Sequence, residues 1–326
     1  MSLDADLIVD RRRMRRKLTF WRVLAVVVAI IAIGAIASAL APRNMSAPGV
    51  HQIARVNISG LIRNNTDRTK ALADLAKASS VRAVIVHVDS PGGTVAGSEQ
   101  LYNSLRQVAA AKPTVVVVDG LAASGGYIAA MSSDHIVAQD TSLVGSIGVL
   151  AQYPNVTDLL KTIGVKVDTV RSTPLKAVPD GFEPTSPEAK AALEAIVMDL
   201  YGWFKGMVQD RRKIAGEALD KVADGRVFTG RQAVGLKLID EIGDEQTAIA
   251  WLAKEKGIDP KLSVRDWRLT SRLSDLSFLH LATAALLDGV GLTGLAQRFT
   301  DTGSVQALER LNLDGVLALW HPPGAN

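Results

Sequence analysis

Cysteine is absent from this 326-residue chain, so it can form neither a disulfide framework nor a thiolate metal site. Histidine occurs only five times, and aromatic residues make up 5% of the chain. No other pattern suggests a metal or an organic cofactor, and we expect none. Hydrophobic residues, at 48%, are plentiful enough for a sizeable core.

An excess of one charge is also lacking over most of the chain. The net charge of +4 arises in residues 1–22, where seven arginines and lysines stand against three aspartates. The rest of the chain balances, with 30 basic residues (37 less 7) and 30 acidic residues (33 less 3). A basic surface spread over the fold is therefore not expected, and neither is a nucleic-acid partner.

One long apolar run is present. Residues 23–41 carry no charge, and as a helix these nineteen residues would span roughly 28 Å, close to the thickness of a hydrocarbon core. Phe20 and Trp21 stand where interfacial aromatic residues would lie. The basic cluster favours a cytoplasmic tail at 1–22, a transmembrane anchor at 23–41 and export of everything that follows.

A cleaved signal peptide is the competing interpretation of this run. Ala37-Ser38-Ala39 and Ala39-Leu40-Ala41 both fit the small-residue cleavage pattern, although cleavable apolar regions usually run only about 7–15 residues. Arg15-Arg16 is a weak hint of twin-arginine export. Residues 42–50, with Pro42, Pro48 and Gly49, are interpreted as a linker.

The following region alternates short apolar strands with amphipathic helices, which predicts one α/β domain over residues 51–257. Strands are predicted at Ile53–Ile58, Arg82–Val88, Val115–Val118, His135–Ala138, Val165–Val170 and Leu236–Asp240. Helices are predicted at 67–78, at 96–110, from Pro187 to before Gly216, and from a Thr229 cap to Gly235. Residues 258–326 are taken as an extension that packs against the core or a neighbouring subunit.

Ser124 stands between the four-valine strand and an apparent helix start. Its two following glycines would let another backbone approach closely. The N–H groups of Gly92 or Gly93, together with that of Gly125, could form an oxyanion hole for a serine nucleophile. An ordinary helix start is the plain alternative for such a turn.

A serine nucleophile needs a base. His87 and His135 lie in predicted strands, while His51, His280 and His321 lie near the linker or in the extension, so a Ser-His-Asp triad stays open without a favoured histidine. Lys176 lies in an irregular loop with apolar neighbours. A lysine serves as a base only when burial lowers its pKa by roughly three units from about 10.4. A solvated surface charge is the ordinary alternative.

Five motifs, in order and spacing, resemble the signal peptide peptidase A family of membrane-anchored serine proteases over about residues 56–243. They are Asp89-Ser90-Pro91-Gly92-Gly93, Ala122-Ala123-Ser124-Gly125-Gly126-Tyr127, Gly145-Ser146-Ile147-Gly148-Val149, the Lys176 loop running to Pro184-Thr185-Ser186-Pro187-Glu188, and Gly225-Arg226-Val227-Phe228-Thr229-Gly230. The resemblance implies Ser124 as nucleophile, Lys176 as general base and the glycine loop as part of the oxyanion hole. It also implies a Clp- and crotonase-like spiral of ββα units and a ring-like homo-oligomer.

The chain resembles the half-length form of this family, with one serine motif and one lysine loop. In that form the resemblance implies a dyad completed between adjacent subunits. The related Clp protease carries its histidine about two dozen residues after the serine, and residues 141–148 here contain none. Ser146 is a candidate to hold Lys176, and Tyr127 and Val149 are candidate pocket residues.

The expected function is therefore a membrane-anchored serine endopeptidase that degrades hydrophobic peptides such as signal-peptide remnants. The expected location is the bacterial inner membrane, single-pass, with the catalytic domain on the periplasmic side. A catalytically inactive membrane scaffold of the same fold is the alternative. An acyl-CoA-processing enzyme is a weaker one, because fold alone does not decide function.

Overall fold

A computed structural model describes residues 16–23, 26–27, 51–269 and 317–319. Residues 16–23 and 26–27 are helical and belong to a unit, Met1–Met45, separate from the unit Ser46–Asn326. Most of the predicted span 23–41 lies outside the described residues. Within the described ranges, no helix is both long and apolar enough to cross a membrane.

Strands and helices alternate along the larger unit. The strands are β1 (Gln52–Ser59), β2 (Val81–Ser90), β3 (Gly92–Thr94), β4 (Thr114–Ala123), β5 (His135–Ala138), β6 (Leu143–Gly145), β7 (Val227–Thr229), β8 (Glu241–Ile242), β9 (Ser263–Asp266) and β10 (Leu317–Leu319). The helices are α1 (Thr66–Lys77), α2 (Val95–Ala111), α3 (Gly125–Ala130), α4 (Thr157–Thr162), α5 (Pro187–Arg212), α6 (Glu217–Val222), α7 (Gly230–Gly235) and α8 (Glu245–Lys256).

The main sheet has the order β7-β6-β4-β2-β1-β9, and β5 pairs with both β4 and β8. Its pairings are parallel except for β6 with β7. Apolar side chains fill both faces, as expected for a parallel sheet that is covered on both sides. The larger cluster contains side chains of α1, α2 and α3, and the smaller one contains Ala248 and Leu252 of α8.

Strand β4 is the centre of the fold, because its two halves have different neighbours on one edge. Residues 115–118 pair with β5, whereas residues 121–123 pair with β6. On the opposite edge the register with β2 shifts, since Val88 faces Val118 but Ser90 faces Ala122. The extra residues include Asp119 and Gly120, and this irregularity redirects the end of β4 toward Ser124.

The sequence predicted strands β1, β2, β4 and β5 and helices α1, α2, α5 and α7, and it placed two further strands wrongly. Residues 165–170 form no strand; Val165 and Val167 alternate with polar residues, yet both are about half exposed and no strand pairs with them. Residues 236–240 form a turn, with Lys237 at φ 60°. Leu238 and Ile239 are buried as predicted, so their burial was inferred correctly and their backbone conformation was not.

Helix α5 begins as predicted, with Ser186 as its N-cap and Pro187 in its first turn. The Thr229 cap of α7 is also confirmed. Ala189, Phe204 and Val208 of α5 are buried, whereas Ile196, at a helical spacing from Ala189 and Phe204, is 50% exposed. Apart from Ala189, the first half of α5 therefore lies outside the core of the chain.

Candidate active site

Ser124 lies at the end of β4, where the main sheet meets the glycine strand β3. Ala122 of β4 pairs with Ser90, the last residue of β2, and two residues further along each chain segment lie Ser124 and Gly92. Helix α3, which starts after Ser124, contacts both β2 and β3. Gly126 permits this approach, because a Cβ there would lie 2.5 Å from the Ser90 carbonyl oxygen. The register of the sheet thus brings Ser124 beside the glycine loop.

The backbone of Ser124 adopts an unusual conformation, with φ 54° and ψ −114°. A non-glycine residue at positive φ is held there by its surroundings. Its N–H donates to the Gly145 carbonyl at 2.8 Å, and its own carbonyl accepts from the Ile128 N–H at 3.0 Å. The residue is 1% exposed, and its Oγ is buried with no hydrogen-bond partner among the described residues. A buried hydroxyl without a partner is costly in a structural role.

Strand β3 is fixed on one side by Ile62. The Ile62 N–H donates to the Gly92 carbonyl at 2.8 Å, and the Thr94 N–H donates to the Ile62 carbonyl at 2.9 Å. Ser90 Oγ accepts from the Gly92 N–H at 3.1 Å. A Cβ on Gly93 would lie 1.8 Å from the Ile62 carbonyl oxygen, so this position requires glycine. Because successive residues of a strand point to opposite sides, the N–H and carbonyl of Gly93 face away from Ile62.

Neither well-placed histidine is free to act as the base. His87 Nδ1 bonds Asp119 at 2.8 Å and its Nε2 bonds Glu245 at 2.8 Å, so both nitrogens are occupied by carboxylates. His135 stacks on Trp251, and its Nε2 lies 3.3 Å from Glu241. The unpartnered Oγ of Ser124 bonds neither of them. His280 and His321 lie outside the described residues.

Lys176 lies in a solvent-exposed loop of the same chain. Its amine makes no hydrogen bond or ion pair within the described part of the chain, and Ser124 Oγ has no partner there either. A single subunit therefore does not bring the two groups into hydrogen-bond contact. Lys176 lines an open groove together with eight other residues, Val167, Thr169, Val170, Arg171, Ser172, Ala177, Asp180 and Phe182.

The Lys176 loop is held by ion pairs rather than by packing. Arg171 bonds Asp180 at 2.5 Å and Glu183 at 2.6 Å. The Phe182 N–H donates to Asp180 at 2.9 Å, and this backbone bond, followed by the charge of Arg171, lowers the pKa of the Asp180 carboxyl. Asp180 therefore stays ionised and keeps Arg171 in place. These ion pairs hold the two ends of the loop together, while Lys176 between them stays exposed.

The three remaining candidate residues differ in position. Ser146 is buried at φ 50°, with its N–H bonded to the Arg226 carbonyl at 2.8 Å, one residue after the Gly145 carbonyl that holds Ser124. Tyr127 is fully buried, and its hydroxyl donates to the Leu238 carbonyl at 2.8 Å. Because its side chain is enclosed and its hydroxyl is satisfied by a backbone carbonyl, we place Tyr127 in the core rather than in a pocket. The same burial raises the pKa of the Tyr127 hydroxyl. Val149 is partly buried at the edge of the core.

Sequence reasoning missed one feature of the site. Strand β10 pairs antiparallel with β3, with Ala318 opposite Gly93. More than two hundred residues separate the two strands, and the segment Leu317-Ala318-Leu319 carries no local signal of that partner.

These features define an α/β peptidase scaffold, and comparisons with known proteins agree. Residues 54–139 match the Clp protease family model, which makes the fold Clp-protease-like. A ClpP1 mutant structure from Listeria monocytogenes aligns with 58% of this chain and 91% of its own, at 13% identity and a TM-score of 0.41.

Residues 106–259 match peptidase family S49. A Synechocystis protein named a putative protease is 36% identical over 211 residues, which are 64% of this chain and 76% of that protein. The chain belongs to this family, that of signal peptide peptidase A, a family of serine proteases.

Two further relatives are longer than the region they share with this chain. Protease 4 of Salmonella typhi is 38% identical over 53% of this chain and 28% of its own length. The chloroplastic serine protease SPPA of Arabidopsis thaliana is 30% identical over 76% of this chain and 36% of its own. The chain thus spans about a third of the length of each.

Proposed function

We propose that this protein is a serine endopeptidase in which Ser124 is the nucleophile and Lys176 the general base. The observation that carries the proposal is the buried, unpartnered Ser124 Oγ beside a glycine strand. That geometry suits attack on a carbonyl and has no evident use in stabilising the fold. Membership of a serine protease family supports the same assignment.

The reaction follows the general scheme of acyl transfer. The base takes the Oγ proton as the oxygen attacks the peptide carbonyl, and the N–H groups of Gly93 and Gly125 stabilise the oxyanion. The Gly92 N–H, the other candidate donor, is bonded to Ser90 Oγ and would have to leave it to take part. The proton then passes to the leaving amine as the carbon–nitrogen bond breaks, leaving an acyl-serine. Water, deprotonated by the same base, hydrolyses this ester and restores the serine.

Two subunits would share the dyad. Ser124 is buried within the core, whereas the Lys176 amine of the same chain is exposed and unpaired in the described structure. A neighbouring subunit that covers the lysine loop would exclude water and supply the apolar surroundings that favour a neutral amine. A ring-like homo-oligomer meets this need. Ser146, adjacent to the Gly145 carbonyl that holds Ser124, is proposed to help orient the incoming lysine.

The proposed substrates are hydrophobic peptides such as signal-peptide remnants, bound near the membrane, with Val149 at the edge of the substrate pocket.

The apolar run at 23–41 is proposed as a single-pass anchor in a bacterial inner membrane, with the catalytic domain on the periplasmic side. Protease protection in intact cells tests this orientation, and protection of the domain from external protease after outer-membrane permeabilisation would contradict it.

Covalent labelling tests the nucleophile directly. A fluorophosphonate probe should modify wild-type protein at Ser124, as located by peptide mass mapping, and should not modify Ser124→Ala. Ser172→Ala is the matched control, because Ser172 is exposed in the lysine loop and should label normally. Absence of any adduct on Ser124 in the assembled wild-type protein would favour the inactive scaffold of the same fold.

A further inference from the structure

Ser90, the last residue of β2, lies between the glycine strand β3 and helix α3, and it is fully buried. Its hydroxyl donates to the Gly60 carbonyl at 2.7 Å and accepts from the Gly92 N–H at 3.1 Å. A Cβ on Gly126 would lie 2.5 Å from the Ser90 carbonyl oxygen, so the backbone of Ser90 packs directly against α3. One buried serine therefore contacts both segments that supply the proposed oxyanion donors.

Both polar groups of the Gly92 backbone are bonded within the chain. The N–H donates to Ser90 Oγ, and the carbonyl accepts from the Ile62 N–H at 2.8 Å. The bonds run in one direction, from the Gly92 N–H through the Ser90 hydroxyl to the Gly60 carbonyl, so each polarises the next. The Gly92 N–H is therefore held inside the protein.

The direction of the Gly93 N–H depends on this support of Gly92. The Gly92 carbonyl and the Gly93 N–H belong to one planar peptide unit and point to opposite sides of the strand. Gly93 stands opposite Ala318 in this structure, which places its N–H at the outer edge of β3. Gly92 has φ 104° and no side chain to restrict its rotation, so the bonds to Ser90 and Ile62 fix the orientation of this peptide unit.

We propose that Ser90 is a positioning residue for the oxyanion site. Its hydroxyl fixes Gly92, so that the N–H of Gly93, and not that of Gly92, is the donor from β3 to the tetrahedral intermediate. This inference rests on the proposed function, because it concerns the same reaction. An oxyanion donor stabilises the transition state more than the bound substrate, so loss of its alignment lowers kcat and leaves KM nearly unchanged.

Three substitutions in the full-length chain test the role of the Ser90 hydroxyl. Ser90→Ala removes both of its hydrogen bonds. Ser90→Cys keeps a side chain of similar shape that is only a weak donor and acceptor, and the chain contains no other cysteine. Ser132→Ala is the matched control, because Ser132 is equally buried and its hydroxyl donates to the Ala129 carbonyl at 2.6 Å. Ser132 lies beyond the far end of α3 from Ser124.

Turnover is measured with acetyl-trileucyl aminocoumarin, and the corresponding trileucine aldehyde serves as a transition-state analogue. The Ser124 oxygen bonds to the aldehyde carbon, the carbonyl electron pair moves onto the aldehyde oxygen, and the serine proton passes to the base. The adduct thus places an oxyanion where the tetrahedral intermediate has one.

Ser90→Ala should lower kcat by roughly 10- to 100-fold, which is less than the roughly 10²–10³-fold cost of losing a whole oxyanion donor. Aldehyde inhibition should weaken by a similar factor, whereas KM should change by less than about twofold. Ser90→Cys should fall between Ser90→Ala and wild type. Ser132→Ala should match wild type in kcat, KM and aldehyde inhibition, even where its Tm is lower.

Wild-type kcat and aldehyde inhibition in folded Ser90→Ala would overturn the proposal, and Ser90→Cys supplies the same comparison if the alanine variant does not fold. A higher kcat in Ser90→Ala would show instead that the released Gly92 N–H is the donor. Equal losses in Ser132→Ala would assign the effect to stability alone. A wild-type protein that neither hydrolyses the peptide nor binds the aldehyde would remove the endopeptidase, whereas an active wild type that tolerates Ser90→Ala would remove only this inference.

Discussion

The two residues of the proposed dyad lie in regions that differ in the burial of their apolar side chains. Those around Ser124 are buried, whereas those around Lys176 are largely exposed. Around Ser124, the valines of β2 and β4 are at most 1% exposed from Val84 onward. In residues 157–200, here called the exposed segment, only Thr157, Gly181 and Ala189 are buried. Nine apolar side chains of the exposed segment are about half exposed or more: Leu159, Ile163, Val165, Val167, Val170, Leu175, Phe182, Ile196 and Met198.

This contrast indicates where each region obtains its stability. The core around Ser124 is complete within one chain and can hold a residue at positive φ. The exposed segment is fixed by ion pairs such as Arg171–Asp180 and leaves a contiguous stretch of sequence rich in uncovered apolar groups. Val167, Val170 and Phe182 of this segment line one groove, and exposed apolar patches are typical of protein–protein contacts. A second copy of the chain is the occupant that would also complete the dyad.

Mixing two inactive variants is the strongest test of whether Ser124 of one subunit works with Lys176 of another. Ser124→Ala and Lys176→Ala should each lower kcat by roughly a thousandfold or more, because each removes one member of the dyad. Co-assembly of the two should recover a fraction of wild-type turnover, since some sites then pair an intact serine with an intact lysine. Lys166→Ala is the control, because Lys166 is an exposed lysine of the same segment that pairs with Asp168.

Sharing of the dyad would be contradicted by mixed assemblies that form normally and stay inactive. Residual turnover near wild type in either single variant would remove that residue from the catalytic assignment. Gel filtration of each variant shows whether assembly is intact before kcat is compared.

Two phenylalanines allow the buried core and the exposed segment to be compared by their effects on the free energies of unfolding and of assembly. Phe204 is fully buried and Phe182 is 50% exposed. Phe204→Ala should lower the free energy of unfolding by about 3–5 kcal/mol through lost burial and a cavity. Phe182→Ala should leave subunit unfolding nearly unchanged and weaken assembly instead. Denaturant titration of dilute subunits and sedimentation velocity measure the two effects, and a reversed pattern would place the exposed segment in the folded core.

The sequence predicted the neighbourhood of Ser124 and the Gly92-Gly93 segment in the fold better than it predicted the segments around them. The Ser-Gly-Gly turn and the Gly92-Gly93 loop follow buried parallel strands, and such strands align their ends at one sheet edge, so their proximity was predictable. The conformation of residues 165–170 was not, because alternation of Val165 and Val167 says which face is apolar but not what covers it. The β10–β3 pairing was also beyond local reasoning, since pairing over so long a loop depends on which edge the folded chain leaves open.

The smallest predicted effect concerns the face of the sheet covered by α8, where charged side chains join β1 to α8 in addition to the apolar packing of Ile53, Ala248 and Leu252. Arg55 bonds Glu245 through two contacts of 2.6 Å, and His87 adds one of 2.8 Å to the same carboxylate. These bonds, Arg55 first, hold the pKa of Glu245 below its ordinary value of 4.5 despite partial burial. Asp119 and Asp266, the other carboxylates of this network, lie on His87 and Arg55 respectively.

A carboxyl whose pKa is lower in the folded state stabilises the fold at neutral pH and loses that contribution as the pH falls through its ordinary value toward the folded one. The difference in Tm between wild type and Glu245→Gln should therefore be largest near neutrality and shrink below about pH 4.5. Glu255→Gln is the control, because Glu255 is about half exposed and its one ion pair within residues 51–269 is with Lys254, at 3.3 Å. A Tm difference that stayed constant down to pH 3 would show that Glu245 acts through packing rather than through its charge.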